Sequence, residues 1–412
     1  MKILLINHYA GSPQHGMEFR PYYLAREWVR AGHKVRIVAG SYSHIRAIQP
    51  AGVDGVQTVE QIDGIEYCWY QTLSYKGNGV GRLSSMLSFI WSLWRDAKAI
   101  ATEFKPDVVI ASSTYPMDIW PAERIAKLAS AQLVYEVHDL WPLSPMELGG
   151  MSRWHPFIMW VQWAEDHAYK AADRVVSMLP KTLDYMVSRG MRADKWAYVP
   201  NGVDLDEWRV RAPLPVDTQA ALQSVKARGL PVLGYAGTHG LANALDVLLD
   251  ASRLLKGQVE VVLVGTGPER DQLMRRVIEE NLSNVTMLPS VPKAAMPALL
   301  EALDIAFIGL LPEPLFRFGI SPNKLFDYMM AGKPIIQSIR AGNDPVTEVG
   351  CGITVAPNDS AAIAKAAMAL GAMTSEEKQA LGQKGEAFIK TERTYAVLAA
   401  QFLIVIAPSI RQ

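Results

Sequence analysis

The sequence has few cysteines and no excess of charge of either sign. Only two of its 412 residues are cysteine, Cys68 and Cys351, and their separation matches no metal or redox motif. A framework of several disulfides is therefore excluded, and both cysteines are expected to be small buried residues in a reducing cytoplasm. Because 41 basic residues balance 41 acidic ones, the composition also argues against broad binding to nucleic acid.

Long apolar runs are absent as well. No stretch approaches the ~18–20 uninterrupted apolar residues of a membrane span. The apolar start MKILLIN is short and leads into a polar loop, which favours a first buried strand over a secretory signal. Eleven tryptophans are present, and several lie in segments 85–100 and 153–170. These segments fit either amphipathic helices at a membrane surface or ordinary core helices, and the pattern leaves both open.

Short apolar segments alternate with helical patterns along both halves of the chain. Strands are predicted at 2–7, 34–40, 65–70, 107–112, 132–137 and 174–178, and again at 232–237, 259–265, 284–289, 304–310 and 334–338. This alternation predicts an α/β protein with two doubly wound, Rossmann-like parallel sheets. We expect one domain at 1–205, a linker near 205–215 and a second domain at 215–390, with a C-terminal helix at 394–412 crossing back to the first domain. Functional side chains should follow the carboxyl ends of the strands.

Segment 321–337, SPNKLFDYMMAGKPIIQ, predicts a short helix that holds a charge in an unfavourable place. Ser321 is the predicted N-cap and Pro322 the first helical residue. Lys324 then falls in the first turn, where free amides and the helix dipole repel a cation. A bound anion such as a diphosphate would reverse that effect. An ordinary surface pair between Lys324 and Asp327, three residues later on the same face, is the alternative.

Two loops of the first half contain candidate residues. The loop after the first strand is long and contains His15 and Gly16, and we expect Glu18 and Arg20 to contact an acceptor or a phosphate, unless they only favour the start of a helix. The second loop follows strand 132–137 and presents His138 and Asp139. There the histidine either binds a ligand or caps the strand.

The second half contains glycine-rich turns after two strands. The turn Gly237-Thr238-His239-Gly240 follows strand 232–237, and a Gly-x-Gly turn that contains Gly265 follows strand 259–265. Free backbone amides in such turns suit an anionic ligand.

Three strings resemble the retaining glycosyltransferases of family 4, and most closely the WbuB-like branch for bacterial O-antigen and capsule synthesis. They are SPNKLFDYMMAGKP from Ser321, HDLWP from His138 and VPNGVD from Val199. The resemblance spans nearly the whole chain and implies a GT-B fold, in which two domains face each other across a cleft. It also implies a nucleoside-diphosphate sugar donor, retention of configuration, and neither a metal nor another cofactor.

The resemblance also implies roles for individual residues. Catalytic roles fall on His138, Asp139, Lys324 and Asp327; donor binding falls on Gly16, Gly237, Thr238, His239, Gly265, Val291, Ser321, Asn323 and Lys324; acceptor contact falls on Glu18 and Arg20. The chain departs from the family pattern at Gly319, which replaces the first of two family glutamates. It departs again at Thr238 and Asn243, which stand where many relatives have an arginine and a lysine.

The expected reaction is transfer of a sugar, of which an N-acetylated 6-deoxyhexosamine is one candidate, from a UDP-linked donor to a polyprenyl-diphosphate-linked sugar. The resemblance places this reaction in bacterial surface polysaccharide synthesis. The protein is expected in the cytoplasm, peripherally bound to the inner face of the membrane. Two alternatives remain open: a GT-B nucleotide-sugar epimerase, and a non-catalytic partner subunit, which the replacement at Gly319 favours.

Overall fold

The computed structural model describes residues 1–51, 55–77 and 79–407. The chain divides into two compact units. Unit 1 comprises residues 1–201 together with the C-terminal segment from Tyr395, of which residues 408–412 lie outside the described range. Unit 2 comprises residues 202–394. Both units are α/β with a largely parallel sheet, so the predicted fold class is confirmed.

The helices and strands of unit 1 alternate along the chain. They are β1 (Lys2–Ile6), α1 (Arg20–Arg30), β2 (Lys34–Gly40), β3 (Gln57–Ile62), β4 (Ile65–Tyr70), α2 (Val80–Glu103), β5 (Val108–Ala111), α3 (Ile119–Ala129), β6 (Gln132–Val137), α4 (Leu143–Glu147), α5 (Pro156–Ala171), β7 (Arg174–Ser177), α6 (Leu183–Ser188) and β8 (Trp196–Tyr198).

Unit 2 continues the same alternation. It contains α7 (Leu205–Arg209), α8 (Val216–Lys226), β9 (Val232–Ala236), α9 (Leu245–Leu254), β10 (Glu260–Val264), α10 (Arg270–Glu279), β11 (Val285–Leu288), α11 (Met296–Glu301), β12 (Ile305–Gly309), α12 (Asn323–Met330), β13 (Ile335–Ser338), α13 (Pro345–Val349), β14 (Gly352–Val355), α14 (Ser360–Gly371) and α15 (Ser375–Glu392). The last helix, α16 (Tyr395–Ile406), belongs to unit 1.

The sheet of unit 1 has the order β3-β4-β2-β1-β5-β6-β7-β8 and is parallel except for β3. Strands β1 and β5 are almost continuously apolar and buried, and β2 is so after Arg36, as expected for strands covered on both faces. On one face, α1 and α16 pack over these strands, and Trp28 Nε1 donates to the Ala399 carbonyl at 3.1 Å. Helix α3 packs against both α2 and α5.

Strand β3 is missing from the sequence prediction. It forms an antiparallel hairpin with β4 through Asp63 and Gly64, both of which have positive φ. An Asp-Gly pair is a strong hairpin signal, because both residues tolerate the left-handed conformation that a tight two-residue turn requires. The sequence QTVEQI lacks the apolar pattern of a buried strand, because β3 lies at the sheet edge with every second side chain exposed.

The sheet of unit 2 has the order β11-β10-β9-β12-β13-β14, and all neighbouring strands are parallel. Apolar clusters cover both of its faces. One contains residues of α8, α11 and α12, and the other contains residues of α9 and α14. Strands β10 and β13, which follow on from β9 and β12, lie on opposite sides of the central β9-β12 pair.

The division between the units falls between Asn201 and Gly202, a few residues before the predicted linker at 205–215. Helix α7 occupies the first part of that range. Asp204 is its N-cap, because its Oδ1 accepts a hydrogen bond from the Asp206 amide at 2.9 Å. The segment Asp204-Leu205-Asp206 therefore forms the capped N-terminus of this helix. In the part of the chain that the structure describes, no helix has the length and apolar character needed to cross a membrane.

Candidate active site

Lys324 lies at the point where the strand order of unit 2 reverses. Ligands of doubly wound folds bind at such a point, beside the carboxyl ends of the two central strands. Lys324 comes from the first turn of α12, and its ammonium donates to the Tyr235 hydroxyl and to Asn243 Oδ1, both at 2.7 Å. Among the described residues it has no carboxylate partner.

The surroundings of Lys324 favour an added anion. Burial lowers the pKa of Lys324 to about 8, and burial also raises the pKa of Tyr235, so that this phenol stays neutral. The ammonium is therefore held by two neutral groups at the positive end of a helix dipole. A negatively charged ligand would relieve both the desolvation and the dipole repulsion.

Two glycine turns flank this ammonium. Gly237, after β9, has a φ of 152°, and a Cβ there would lie 3.3 Å from Lys324 Nζ. Gly265, after β10, approaches the Gly237 carbonyl so closely that a Cβ would lie 1.9 Å from its oxygen. The His239 amide donates to the Thr266 carbonyl at 2.8 Å and joins the two turns. The predicted donor-binding turns therefore lie together beside Lys324.

Thr238 and Asn243 complete the first turn. The Thr238 carbonyl accepts hydrogen bonds from the Tyr235 hydroxyl at 2.7 Å and from Asn243 Nδ2 at 3.0 Å, while the Thr238 residue itself is exposed. Because Asn243 also accepts from Lys324, one amide side chain ties the glycine turn to α12.

His239 and Arg270 add unsatisfied polar atoms to the same region. His239 is fully buried, and neither of its ring nitrogens has a hydrogen-bond partner among the residues described. Burial lowers the pKa of His239, and the charges of Arg270 and Lys324 lower it further. Arg270 begins α10, and its Nε is also buried without a partner. Such atoms are costly unless a ligand or water satisfies them.

The start of α12 differs by one residue from the prediction. Pro322, not Ser321, is the N-cap, and no side chain caps the helix. The reason is the extended conformation of Pro322, with φ −77° and ψ 127°, which delays the first helical residue to Asn323. Asn323 is exposed, and Lys324 remains in the first turn as predicted. Asn343 fixes the preceding segment through hydrogen bonds with the Ile320 backbone at 2.7 and 3.2 Å.

Asp327 has different partners from Lys324. Its carboxyl accepts a hydrogen bond from Trp208, and it lies near Lys293 and Glu207. Burial raises the pKa of Asp327 to about 6, and the Lys293 charge opposes this shift. The alternative of a Lys324–Asp327 surface pair is therefore not seen, because the carboxyl faces the segment around α7.

Two further predicted positions lie near the glycine turns. Val291 follows β11 and packs, half-buried, against the core of unit 2. The last residue of β11, Leu288, accepts a hydrogen bond from the Gly265 amide at 3.1 Å, so the segment that contains the predicted donor-binding residue Val291 begins beside that turn. Gly319 has a φ of 102°, a conformation in which the glutamate found in relatives would be strained.

In unit 1, His138 follows β6 and joins a buried network. His138 Nε2 lies 2.9 Å from Ser112 Oγ and 3.3 Å from Glu136 Oε2, and Ser112 Oγ donates to the same carboxylate oxygen at 2.6 Å. Burial alone would lower the pKa of His138, but the Glu136 carboxylate outweighs it and raises the pKa above its ordinary value. The other ring nitrogen, Nδ1, has no hydrogen-bond partner among the residues that the structure describes.

Arg20 holds the same network from the opposite side. It is 1% exposed, its Nε and Nη2 donate to Glu136 Oε1 at 3.0 and 2.9 Å, and its remaining N–H groups donate to the Val199 and Pro200 carbonyls at 2.8 and 2.5 Å. Burial would raise the pKa of Glu136, but the Arg20 charge lowers it well below its usual range. This placement argues against the predicted contact of Arg20 with an acceptor or phosphate.

Glu18 and Asp139 lie close to His138. The Glu18 carboxylate raises the pKa of His138. Asp139 touches solvent but is surrounded by protein, and this desolvation raises the pKa of its carboxyl, which the Glu18 charge raises further. Gly16, with a φ of 95°, closes a short bridge to Ser12 in the same loop. The predicted residues Glu18, His138 and Asp139 are therefore brought together, whereas Arg20 lies beneath them.

Several candidate residues were not predicted from the sequence. Tyr235 meets Lys324, and Ser112 meets His138, only because of the order of the strands in each sheet. Nothing in the sequence around Tyr235 or Ser112 indicates a functional role. Glu136 and Arg270 could have been predicted from the sequence. A glutamate inside the buried strand QLVYEV requires a partner, and an arginine at a helix start after a Gly-x-Gly turn repeats the pattern of Lys324. Within the described residues, no group of three or more His, Cys, Asp and Glu side chains is placed to hold a metal ion.

Two family models match the chain. Residues 15–202 match the glycosyl transferase 4-like domain, and residues 230–372 match the glycosyl transferases group 1 domain. None of the curated proteins compared with the chain matches it.

Solved structures resemble the chain over almost its whole length. Anabaena HepE, solved with UDP and glucose, is 17% identical with a TM-score of 0.66, and the match covers 99% of each chain. Sucrose-phosphate synthase from Thermosynechococcus elongatus is 17% identical with a TM-score of 0.71, covering 98% of this chain and 97% of that one. WaaG, a glycosyltransferase involved in lipopolysaccharide biosynthesis, is 14% identical with a TM-score of 0.65, covering 99% and 100%. At these identities the likeness is one of fold, and it confirms the predicted GT-B architecture.

Proposed function

Because the chain carries a glycosyl transferase 4-like domain and a glycosyl transferases group 1 domain on a GT-B fold, we propose that it transfers a sugar from a nucleoside-diphosphate sugar to a lipid-linked sugar acceptor. The observation that carries this proposal is the state of Lys324. Its ammonium has neutral partners only, stands at a helix start and lies beside two glycine turns. A diphosphate supplies the missing negative charge and accepts hydrogen bonds from the free amides.

The donor diphosphate is assigned to the start of α12 and the turn Gly237–Gly240. Arg270 and Lys324 both lie near His239, because their charges add to burial in lowering its pKa. Both cations are therefore assigned to the same diphosphate. Uracil is the proposed base because Anabaena HepE was solved in complex with UDP and with UDP-glucose. The segment from Leu288 to Val291 is assigned to the nucleobase.

The chemical step follows from where charge develops. The bond between the sugar C1 and the β-phosphate oxygen breaks, and negative charge accumulates on the departing diphosphate. Fixed donors at that oxygen stabilise the transition state more than the bound donor, and this is the role of Lys324 and the α12 amides. The acceptor oxygen bonds to C1 on the same face, which retains configuration, and its proton passes to the leaving phosphate. No carboxylate is assigned as nucleophile and no metal is assigned to the step. The predicted catalytic role of Asp327 is not carried into this proposal, because its carboxyl faces the segment around α7 and not Lys324.

Unit 1 is assigned to the transferred sugar and the acceptor. His138 has Nδ1 available for a sugar hydroxyl, because Ser112 and Glu136 occupy Nε2. Asp139 and Glu18 are exposed or half-exposed near His138 and are assigned to the acceptor. A polyprenyl-diphosphate-linked sugar at the inner face of the cytoplasmic membrane is the proposed acceptor.

Binding of UDP should depend on pH in a way that identifies Lys324. The ammonium form binds the diphosphate, and the pKa of Lys324 is lowered to about 8. Affinity is therefore expected to be flat below about pH 8 and to fall by up to about tenfold per pH unit above it. An ordinary lysine would show this fall only near pH 10.4. Calorimetric titration with UDP from about pH 7 to about pH 9.5 measures the effect.

Lys324→Arg is the matched variant for this titration, because a guanidinium stays charged throughout the range. Its affinity for UDP, even if lower overall, should not fall above pH 8. A wild-type affinity that stays constant to pH 9.5 would contradict the assignment of the diphosphate to Lys324.

The reaction itself is tested by a thermal-shift screen of nucleotide sugars followed by a transfer assay. The donor that stabilises the protein is incubated with a lipid-diphosphate-linked sugar, and the glycosylated lipid is the expected product. The same donor incubated alone should remain unchanged. An epimerised sugar in that control would indicate an epimerase instead, and donor binding without either product would indicate a non-catalytic subunit, the alternative that Gly319 favours.

A further inference from the structure

Helices α2 and α5 of unit 1 turn large apolar side chains toward solvent. Leu87 is 43% exposed, Trp91 66% and Trp94 39% on α2, and Met159 is 53% exposed and Trp163 61% on α5. We call these five residues the aromatic face. Burying a tryptophan removes a large apolar area from water, so the three exposed indole rings of the aromatic face are costly unless a partner covers them.

The aromatic face is continuous across three helices. Leu87, Trp91 and Trp94 follow the spacing of one helical stripe, and Met159 and Trp163 lie one turn apart. Helix α3 joins the two stripes, because it packs against both α2 and α5. The Trp120 ring centroid lies 5.0 Å from that of Trp163, and the Arg124 guanidinium lies 4.6 Å from the ring centroid of Trp94. Trp120 and Arg124 are one turn apart on α3.

The charges along these helices are unbalanced. Lys98 extends the stripe of α2, Arg124 lies over Trp94 on α3, and Arg153 lies over the exposed ring of Trp154 just before α5. Among the described residues none of these three cations has a carboxylate within ion-pair distance. The neighbouring acids are already neutralised, since Asp96 pairs with Arg95 and Glu123 pairs with Lys127. The surplus charge beside the aromatic rings is therefore positive.

We propose that the aromatic face is the surface on which this protein docks onto an anionic lipid bilayer. Tryptophan rings favour the boundary between headgroups and acyl chains, where the indole body is apolar and its N–H is solvated. Arginine and lysine at that depth meet the negative surface potential of anionic headgroups. The exposed rings therefore suit the boundary of the acyl chains, and the unpaired cations suit the anionic headgroups above it.

The aromatic face lies near the loop that is assigned to the acceptor, and its use in docking rests on the proposed function. Trp120, Trp160 and Trp141 pack against one buried cluster that includes Tyr9. Trp141 follows Asp139 by two residues, so the cluster links the face to the loop assigned to the acceptor. An acceptor whose lipid stays in the bilayer would present its sugar beside the docked protein.

Vesicle binding tests the proposal with the full-length chain. Vesicles of phosphatidylethanolamine with phosphatidylglycerol should sediment the wild-type protein, and purely zwitterionic phosphatidylcholine vesicles should sediment less of it. Binding to the anionic vesicles should weaken as salt is added. Brominated lipids should quench tryptophan fluorescence, which reports insertion at the acyl boundary. Failure of the wild type to sediment with the anionic vesicles would overturn the proposal.

Two double variants separate the apolar and electrostatic parts. Trp91→Ser/Trp163→Ser should lower the partition coefficient by at least about tenfold on either kind of vesicle. Lys98→Glu/Arg124→Glu should weaken binding to anionic vesicles and leave binding to zwitterionic ones unchanged. The control is Val216→Ser/Ile278→Ser, which removes side chains at least as exposed from unit 2 and should bind like wild type. Equal binding by all variants would contradict the aromatic face.

Transfer to a short-chain, water-soluble acceptor distinguishes this proposal from the proposed function. Trp91→Ser/Trp163→Ser should retain that transfer while losing vesicle binding. Transfer without any vesicle binding by the wild type would reject the docking surface alone, and vesicle binding without transfer would reject the reaction alone. A dimer that the same double variant dissolves, measured by light scattering, would show that a second copy covers the face and would overturn the proposal.

Discussion

Lys324→Ala is expected to lower kcat/KM for sugar transfer by about a hundredfold to a thousandfold, the usual cost of removing one fixed donor from a developing negative charge. The loss should appear mainly in kcat, because the ammonium is most needed when the diphosphate departs. Stability should not fall, since the variant removes a charge whose desolvation lowers its pKa to about 8. Steady-state kinetics and thermal unfolding of the same preparations measure both effects.

Lys333→Ala is the matched control for this variant. Lys333 lies just beyond the same helix, and its ammonium donates to the Glu301 carbonyl at 3.0 Å, away from the glycine turns. Its loss should leave kcat/KM close to wild type. Unchanged turnover in Lys324→Ala would remove the central residue from the mechanism and leave only the GT-B fold established.

The strands of both sheets were predictable because parallel strands buried on both faces are continuous apolar runs. The segments KILLI (β1) and EVVLV (β10) were predicted as strands, and each lies between two parallel neighbours in its sheet. Strand β3 was not predicted because an edge strand with one exposed face is half polar. Strand β8 was not predicted because it has only three residues. Local pattern therefore identified buried strands and missed exposed or short ones.

The candidate site was predictable only where a residue conflicts with its own local structure. Lys324 stands out because a cation in the first turn of a helix opposes the dipole, whatever surrounds it. Tyr235 and Asn243, which hold its ammonium, lie 89 and 81 residues earlier in the chain and meet it only because β9 lies beside β12. Arg20 shows the opposite error. Its position near a helix start led to a predicted contact with an acceptor or a phosphate, but the structure buries it against Glu136, 116 residues away.

Arg20→Ala is expected to destabilise unit 1 by about 3–5 kcal/mol, because removing one partner of a buried ion pair leaves the other charge uncompensated. Both side chains are 1% exposed, and the Val199 and Pro200 carbonyls would lose a donor as well. Since the pKa of Glu136 is lowered, this contribution is present above the pKa of an ordinary glutamate, about 4.3, and is lost as acid protonates the carboxyl.

Denaturant unfolding followed by tryptophan fluorescence measures this loss in unit 1, because ten of the eleven tryptophans lie in residues 1–201. Arg30→Ala on the same helix is the control: its side chain is 52% exposed and pairs with Glu27 at 2.8 Å, so its loss should cost less than about 1 kcal/mol. The double variant Arg20→Met/Glu136→Gln should recover part of the stability, since it leaves no buried charge unpaired. If Arg20→Ala unfolds at the same denaturant concentration as Arg30→Ala, the ion pair does not hold β6 and the segment at Val199 together, and the position of His138 must have another cause.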